Sequence, residues 1–149
     1  MVEDVLLRPA TLADLRSVSS LLRESNLVAL DDHSQFGEHY VIAENSGGFL
    51  FGVAGIEIRG NDGLLRSVAI APHLRTRGLG TRLIHDRIDY ARARRLRALY
   101  LLTTTARDYF PRFGFTVIGR TEAPLEIAGT IEWSSACPAS STAMFLKLD

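Results

Sequence analysis

Apolar positions in this chain recur with two alternating periods. The run Val5-Leu6-Leu7-Arg8 reads as a short strand stopped by Pro9, and beyond Thr11 the spacing lengthens to Leu15, Val18, Leu21 and Leu22. That spacing lines one face of a helix, and Thr11 stands where a cap belongs. Residues 26–38 are polar and irregular, with Asp31-Asp32-His33 among them. Residues 40–43, 49–58 and 64–70 then form three β-rich runs separated by Asn45-Ser46-Gly47-Gly48 and Gly60-Asn61-Asp62-Gly63. Turns this short predict an antiparallel meander. Helical spacing returns over residues 80–95 through Leu83, Ile84, Ile88 and Ala91.

The rest of the chain is less regular. Residues 98–102 predict a buried strand, Thr103-Thr104-Thr105 supplies caps, and a short helix runs to Gly114, which is expected to end it. A strand over 115–118 follows, and another over 142–148 closes the chain. Between them, residues 119–141 mix Pro124, a short helical pattern at 125–133 and Cys137-Pro138.

Chemistry concentrates between the strand 64–70 and the helix that follows it, in Arg75-Thr76-Arg77-Gly78-Leu79-Gly80-Thr81. Two glycines let a ligand approach the backbone, and the first-turn N–H groups of a helix point outward with the positive end of the dipole behind them. Such a loop suits an anion, above all a phosphate. A nucleotide P-loop requires Gly-Lys, yet Lys147 is the only lysine in the chain. A dinucleotide fingerprint requires a small residue where Leu83 stands and an acid about twenty residues on, where Leu99-Tyr100-Leu101 stands.

Composition narrows the picture. A chain of 149 residues with formal net charge +0 is expected to form one domain, 1–149, and to bury about 70% of its unfolded surface. Neutral charge leaves no footprint of a nucleic-acid or membrane binder, so neither is expected as a partner. Arg92, Arg94, Arg95 and Arg97 read as a solvated face complementing a helix C-terminus, with a phosphate or nucleic-acid patch as the alternative. The single Cys137 excludes an internal disulfide and reads as a packing residue, with a nucleophile or arsenical-binding thiol as the alternative. The four histidines lack metal-ligand spacing, so no metal is expected. Met-Val-Glu-Asp opens the chain without a long apolar stretch, which suggests a cytoplasmic protein with neither signal peptide nor membrane span.

The third phosphate loop fits. Arg75-x-x-Gly78-x-Gly80 resembles the Gln/Arg-x-x-Gly-x-Gly/Ala pyrophosphate loop of the GNAT acyl-CoA-dependent N-acetyltransferases, and it follows a strand as in that family. Ala106-Arg107-Asp108-Tyr109-Phe110-Pro111-Arg112-Phe113-Gly114-Phe115 resembles the family's helix-then-Gly-Phe signature. The resemblance implies the α/β (α+β) GNAT fold: a mixed, mostly antiparallel sheet flanked by helices and splayed open between the strands 64–70 and 98–102. Leu64-Leu65-Arg66-Ser67, Leu101-Leu102-Thr103-Thr104-Thr105-Ala106 and Cys137-Pro138-Ala139-Ser140 look like the small GNAT proteins associated with arsenic-resistance clusters. Leu102-Thr103-Thr104 and residues 110–115 are also similar to the acetyltransferase domain of N-acetylglutamate synthases.

These resemblances imply acetyl-CoA as cosubstrate and a small amine, amino-acid-like, as acceptor. They place pantetheine on the backbone of Val68, Ala69 and Ile70, and pyrophosphate on Arg77, Gly78, Leu79, Gly80 and Thr81, with Arg75, Thr76 and Thr104 beside the cofactor. Direct attack of the amine needs a base, for which Glu57 in its apolar run is the candidate, with a residue exposed near the strand end as the alternative. Many members carry a tyrosine four residues before the Gly of Gly-Phe; here Phe110 holds that position. Tyr109 lies about 100° away on a helix and is read as a packing residue. The departing thiolate is left to water, Ser67 or Thr104. Arg66 is either tied to Glu57 or offers a fork to an acceptor carboxylate, and Ser67 and His33 complete the expected acceptor set. Trp133 is read as buried, with a pocket cap or a contact in a homodimer as alternatives. A non-catalytic acyl-CoA-binding module is the alternative to an enzyme.

Overall fold

The computed structural model describes residues 5–30, 34–75, 78–136 and 140–148. Seven strands form one open, mixed sheet in the order β1-β2-β3-β4-β5-β7-β6. They are β1 (Leu6–Pro9), β2 (Tyr40–Glu44), β3 (Leu50–Arg59), β4 (Asp62–Ile70), β5 (Ala98–Thr103), β6 (Thr116–Ile118) and β7 (Thr142–Lys147). Among the described residues the α-helices that accompany them are α1 (Leu15–Glu24), α2 (Leu79–Ala93) and α3 (Leu125–Ala128). The sheet with its helices is the fold that the motif resemblance implied.

By contact density the chain falls into two compact units, Met1–Ile56 with Ser67–Arg87, and Glu57–Arg66 with Ile88–Asp149. In the first, β2 is buried on both faces because its alternate residues meet different helices. Tyr40 and Ile42 pack with Val18, Leu21 and Leu22 of α1, whereas Val41 and Ala43 pack with Leu79 and Leu83 of α2. Continuous apolarity in a strand covered on both sides follows directly. Pro9 ends β1 opposite Val41 rather than stopping the strand before it, as an edge strand permits.

Thr11 does not cap α1: it precedes a short 3-10 turn (Leu12–Asp14), its side chain makes no capping hydrogen bond, and Asp14 holds the N-cap position of α1. The Asp14 carboxylate takes the Thr11 N–H at 2.8 Å and two hydrogen bonds from Arg8, at 2.7 and 2.8 Å. Arg8 also reaches Glu44 at 2.8 Å, so one guanidinium joins β1, the helix entry and β2. Its hydrogen bonds hold the Asp14 carboxyl below the usual carboxylate range, against a smaller opposing effect of burial. A group lowered on folding stabilises above its unfolded pKa, about 3.9, and that stability is lost as pH falls through the folded value. Asp14→Asn is therefore expected to cost about 1 kcal/mol at neutral pH. Thermal melts of both proteins from pH 6 downward should show the difference in Tm closing below pH 4; a gap that persists there removes the ionic contribution.

In the second unit, β4 pairs in parallel with β5 at Asp62↔Ala98, Gly63↔Leu99 and Leu64↔Tyr100. β7 lies between β5 and β6 and is antiparallel to both, with six register pairs on β5. The short helix before Gly114 is a 3-10 turn (Phe110–Phe113), and Gly114 ends it at φ 99. Residues 125–133 are not one helix. α3 stops at Ala128, and a π-helical turn (Glu132–Ala136) follows, with the Thr130 hydroxyl donating to the Ile127 carbonyl and accepting from the Trp133 N–H. Trp133 is buried, its indole N–H donating to the Arg120 carbonyl at 3.0 Å. The arginines after α2 find local partners. Arg94 lies 5.3 Å over the Tyr90 ring, and Arg97 pairs with buried Asp62 at 2.9 Å.

Candidate functional site

Within the first unit, β4 changes character at Ser67. This residue has φ 60, a left-handed backbone conformation that few non-glycine residues adopt. It is 7% exposed, and its Oγ has no hydrogen-bond partner among the described residues. Val68, Ala69 and Ile70 complete the strand, and Ala69 is backed closely by β3. A Cβ on Gly52 would stand 3.1 Å from the Ala69 carbonyl oxygen and 2.9 Å from the Ile70 side chain. A 3-10 turn (Pro72–Leu74) then leads to Arg75, whose Nε donates to the Ile70 carbonyl at 3.2 Å while Nη2 meets Ser25 Oγ at 3.4 Å.

Gly78 has φ 80, and among the described residues, its chain neighbours apart, no atom lies within 4 Å of where a Cβ would sit. The left-handed turn explains glycine there, and the open space above it is room for a ligand to approach the backbone. α2 begins at once with Leu79-Gly80-Thr81, and its first intrahelical bond runs from the Arg82 N–H to the Gly78 carbonyl at 3.2 Å. Strand, arginine turn, glycine and helix start therefore stand together in one unit. Thr76 and Arg77, expected in the same cradle, lie outside the described residues, as do His33 and Cys137.

The second unit holds a buried ionic cluster. Glu57 is 1% exposed; its Oε1 accepts from Arg66 Nη1 at 2.9 Å and its Oε2 from Arg59 Nε at 2.8 Å. Arg66 is 4% exposed, and its Nε lies 3.7 Å from Glu132 Oε1 at the start of the π-helical turn. The structure thus shows the Arg66 to Glu57 tie directly. Sequence reasoning missed Glu132. An acid between Ile131 and Trp133 in an otherwise apolar neighbourhood was its only local signal.

Thr104 stands on an exposed bend, while neighbouring Thr103 accepts the Ala106 N–H at 3.0 Å. Tyr109 packs edge-on to Phe110 and Phe113, with the Arg112 guanidinium 4.3 Å from its ring centre. That is the packing role expected of it. A separate hollow of about 320 Å³ is lined by Asp62, Arg97, Ala98, Tyr100, Pro124 and Lys147 and includes none of the expected site residues. Burial, followed by the Asp62 charge, pushes the Tyr100 phenol up.

Among the described residues no three His, Cys, Asp or Glu side chains gather to hold a metal ion, and no helix is long and apolar enough to cross a membrane.

The model of the acetyltransferase (GNAT) family matches residues 7–115. No curated protein matches the chain. Among solved structures, N-acetylglutamate synthase from Neisseria gonorrhoeae, complexed with coenzyme A and N-acetyl-glutamate, superposes with a TM-score of 0.82 at 22% identity. That match covers 100% of this chain but 36% of the synthase, so the chain spans about a third of that protein's length. Rv2747 from Mycobacterium tuberculosis, in complex with CoA, gives 0.80 at 20% identity over 97% of this chain and 99% of its own. The ribosomal-protein-S18-alanine N-acetyltransferase of Escherichia coli gives 0.73 at 16% identity, covering 98% and 95%.

Proposed function

Because the chain belongs to the acetyltransferase (GNAT) family, we propose that it transfers the acetyl group of acetyl-CoA to the amine of a small amino acid or amino-acid analogue. The observation that carries this reading is the cradle formed by β4, Arg75, Gly78 and the start of α2. A Cβ at Gly78 would project into open space, which fits close approach of a pyrophosphate to the backbone. The N–H groups of Arg77, Gly78, Leu79, Gly80 and Thr81 hold the pyrophosphate, and the backbone of Val68, Ala69 and Ile70 holds pantetheine.

Acetyl-CoA supplies the activated acyl group, so the protein's tasks are binding, orientation and removal of the ammonium proton before attack. Glu57 takes the ammonium proton of the acceptor, directly or through water. The acceptor we assign is zwitterionic, because a zwitterion can separate the Glu57 and Arg66 pair without leaving either charge unmatched. Its ammonium faces Glu57 and its carboxylate takes the Arg66 fork, which avoids the cost of an unpaired buried ion. Glutamate analogues carrying arsenic or phosphorus belong to this class, as do the natural amino acids. The structural neighbours complexed with coenzyme A, one of them also with N-acetyl-glutamate, and the resemblance of residues 101–106 to arsenic-associated members support the choice. Water or Thr104 meets the departing thiolate, since a CoA thiol is acidic enough to leave without a dedicated acid.

The test is thiol release from acetyl-CoA over a panel of amino acids, their decarboxylated amines and arsenic- or phosphorus-bearing analogues. Release with amino acids and not with the decarboxylated amines is expected; equal rates with both reopen the acceptor class. Calorimetric binding of acetyl-CoA without release for any amine identifies a binding module instead. Gly80→Val should weaken acetyl-CoA binding by roughly 10- to 100-fold in the same titration, the loss of one or two charge-assisted backbone hydrogen bonds. Unchanged affinity in a folded variant removes the loop from the site.

A further inference from the structure

Ser67 combines two features that packing alone does not explain. Its backbone occupies the left-handed region at φ 60 inside a strand, which an L-residue adopts only where the surrounding fold enforces it. Its side chain is 7% exposed with an Oγ that meets no hydrogen-bond partner among the described residues. Nearly every buried hydroxyl in a folded protein is satisfied, and strained, unsatisfied positions cluster where a ligand completes them. Three consecutive residues then follow, Val68, Ala69 and Ile70, whose backbone the proposed reaction uses.

We infer that the Ser67 hydroxyl donates a hydrogen bond to the acyl oxygen during transfer and is a catalytic residue; this rests on the acetyltransferase reading above. The acceptor nitrogen forms a bond to the carbonyl carbon, and the C=O π pair moves onto oxygen, where Ser67 Oγ–H meets the developing negative charge. The oxygen returns its pair as the C–S bond breaks and sulfur leaves with that bond's electrons; the acceptor, which gave its ammonium proton to the base before attack, loses the second nitrogen proton through water to the departing thiolate. Ser67 loses no proton at any point. A hydroxyl is a poor acid but a good fixed dipole, and a donor held in place beforehand needs no reorganisation when charge appears. The left-handed turn is what fixes it. An extended residue at this position would carry its side chain in the ordinary alternation of the strand.

The experiment compares wild type, Ser67→Ala and Ser67→Gly by thiol release, acetyl-CoA calorimetry and thermal melting. Ser67→Ala keeps the Cβ and the backbone constraint while deleting the hydroxyl, and its kcat should fall about 10²- to 10³-fold, the usual loss of one oxyanion donor, with acetyl-CoA affinity unchanged. Ser67→Gly should be equally slow yet melt roughly 2 to 4 °C higher, because glycine accepts positive φ without strain. A slower but more heat-stable enzyme is not what a merely structural serine gives. Ser67→Ala with kcat within threefold of wild type overturns the assignment, and so does recovery of wild-type rate in Ser67→Gly, which makes backbone shape the sole requirement. Absence of thiol release in wild type with every amine tested overturns the acetyltransferase reading itself, and this inference with it.

Discussion

Arg66→Met is expected to destabilise the protein by roughly 3 to 5 kcal/mol, the largest loss foreseen for any single side chain in the site. The methionine fills much of the volume but leaves Glu57 and Glu132, which are 1% and 6% exposed, without the cation between them. Arg59 still reaches Glu57 at 2.8 Å, so the loss should fall short of that for a fully isolated carboxylate pair. Urea unfolding measures it directly, and a change below about 1 kcal/mol means that the cluster contributes little. Arg66→Lys separates stability from recognition. It keeps the charge and loses the planar fork, so KM for the amino acid should rise at least about tenfold while KM for acetyl-CoA stays put. Should both KM values be unaffected, Arg66 serves the fold alone.

Gly55→Ala should cost about 3 kcal/mol, near the upper end for added volume in a packed core. Gly55 on β3 is the register partner of Tyr40 on β2, and a Cβ there would meet the Tyr40 ring, so the new methyl would stand inside that ring's van der Waals envelope. The ring has nowhere to go. Tyr40 is 2% exposed and packs 5.1 Å from Phe36. Tyr40→Leu in the same chain should recover part of the loss, and the two substitutions should be clearly non-additive in a double-mutant cycle. Additive losses would show that the methyl is accommodated elsewhere.

The cradle and the ionic cluster differed in how far the chain announced them. Arg75, Gly78 and the opening of α2 were readable because every requirement is local: a β-branched run, two glycines at fixed offsets and an amphipathic helix immediately after. The meander from Tyr40 to Ile70 was readable for the same reason, since its turns are short and each run carries its own period. Boundaries moved by a residue or two where tertiary contacts extended a strand, as at Asp62, which joins β4 through its pairing with Ala98.

What the sequence by itself determined, then, is the succession of strands and helices and the placing of a glycine-rich loop between β4 and α2. Only the tertiary structure decided that β7 enters between β5 and β6, that Glu132 comes to Arg66 from 66 positions along the chain (132 − 66), and that Ser67 turns left-handed. Periodicity records which face of an element is buried but not which partner covers it, so strand order stays silent until the strands pair. A serine carries no preference for positive φ, and an acid beside a tryptophan carries no mark of its cation. Both are imposed by packing between residues distant in sequence, where burial makes an unmatched charge costly enough to select its partner.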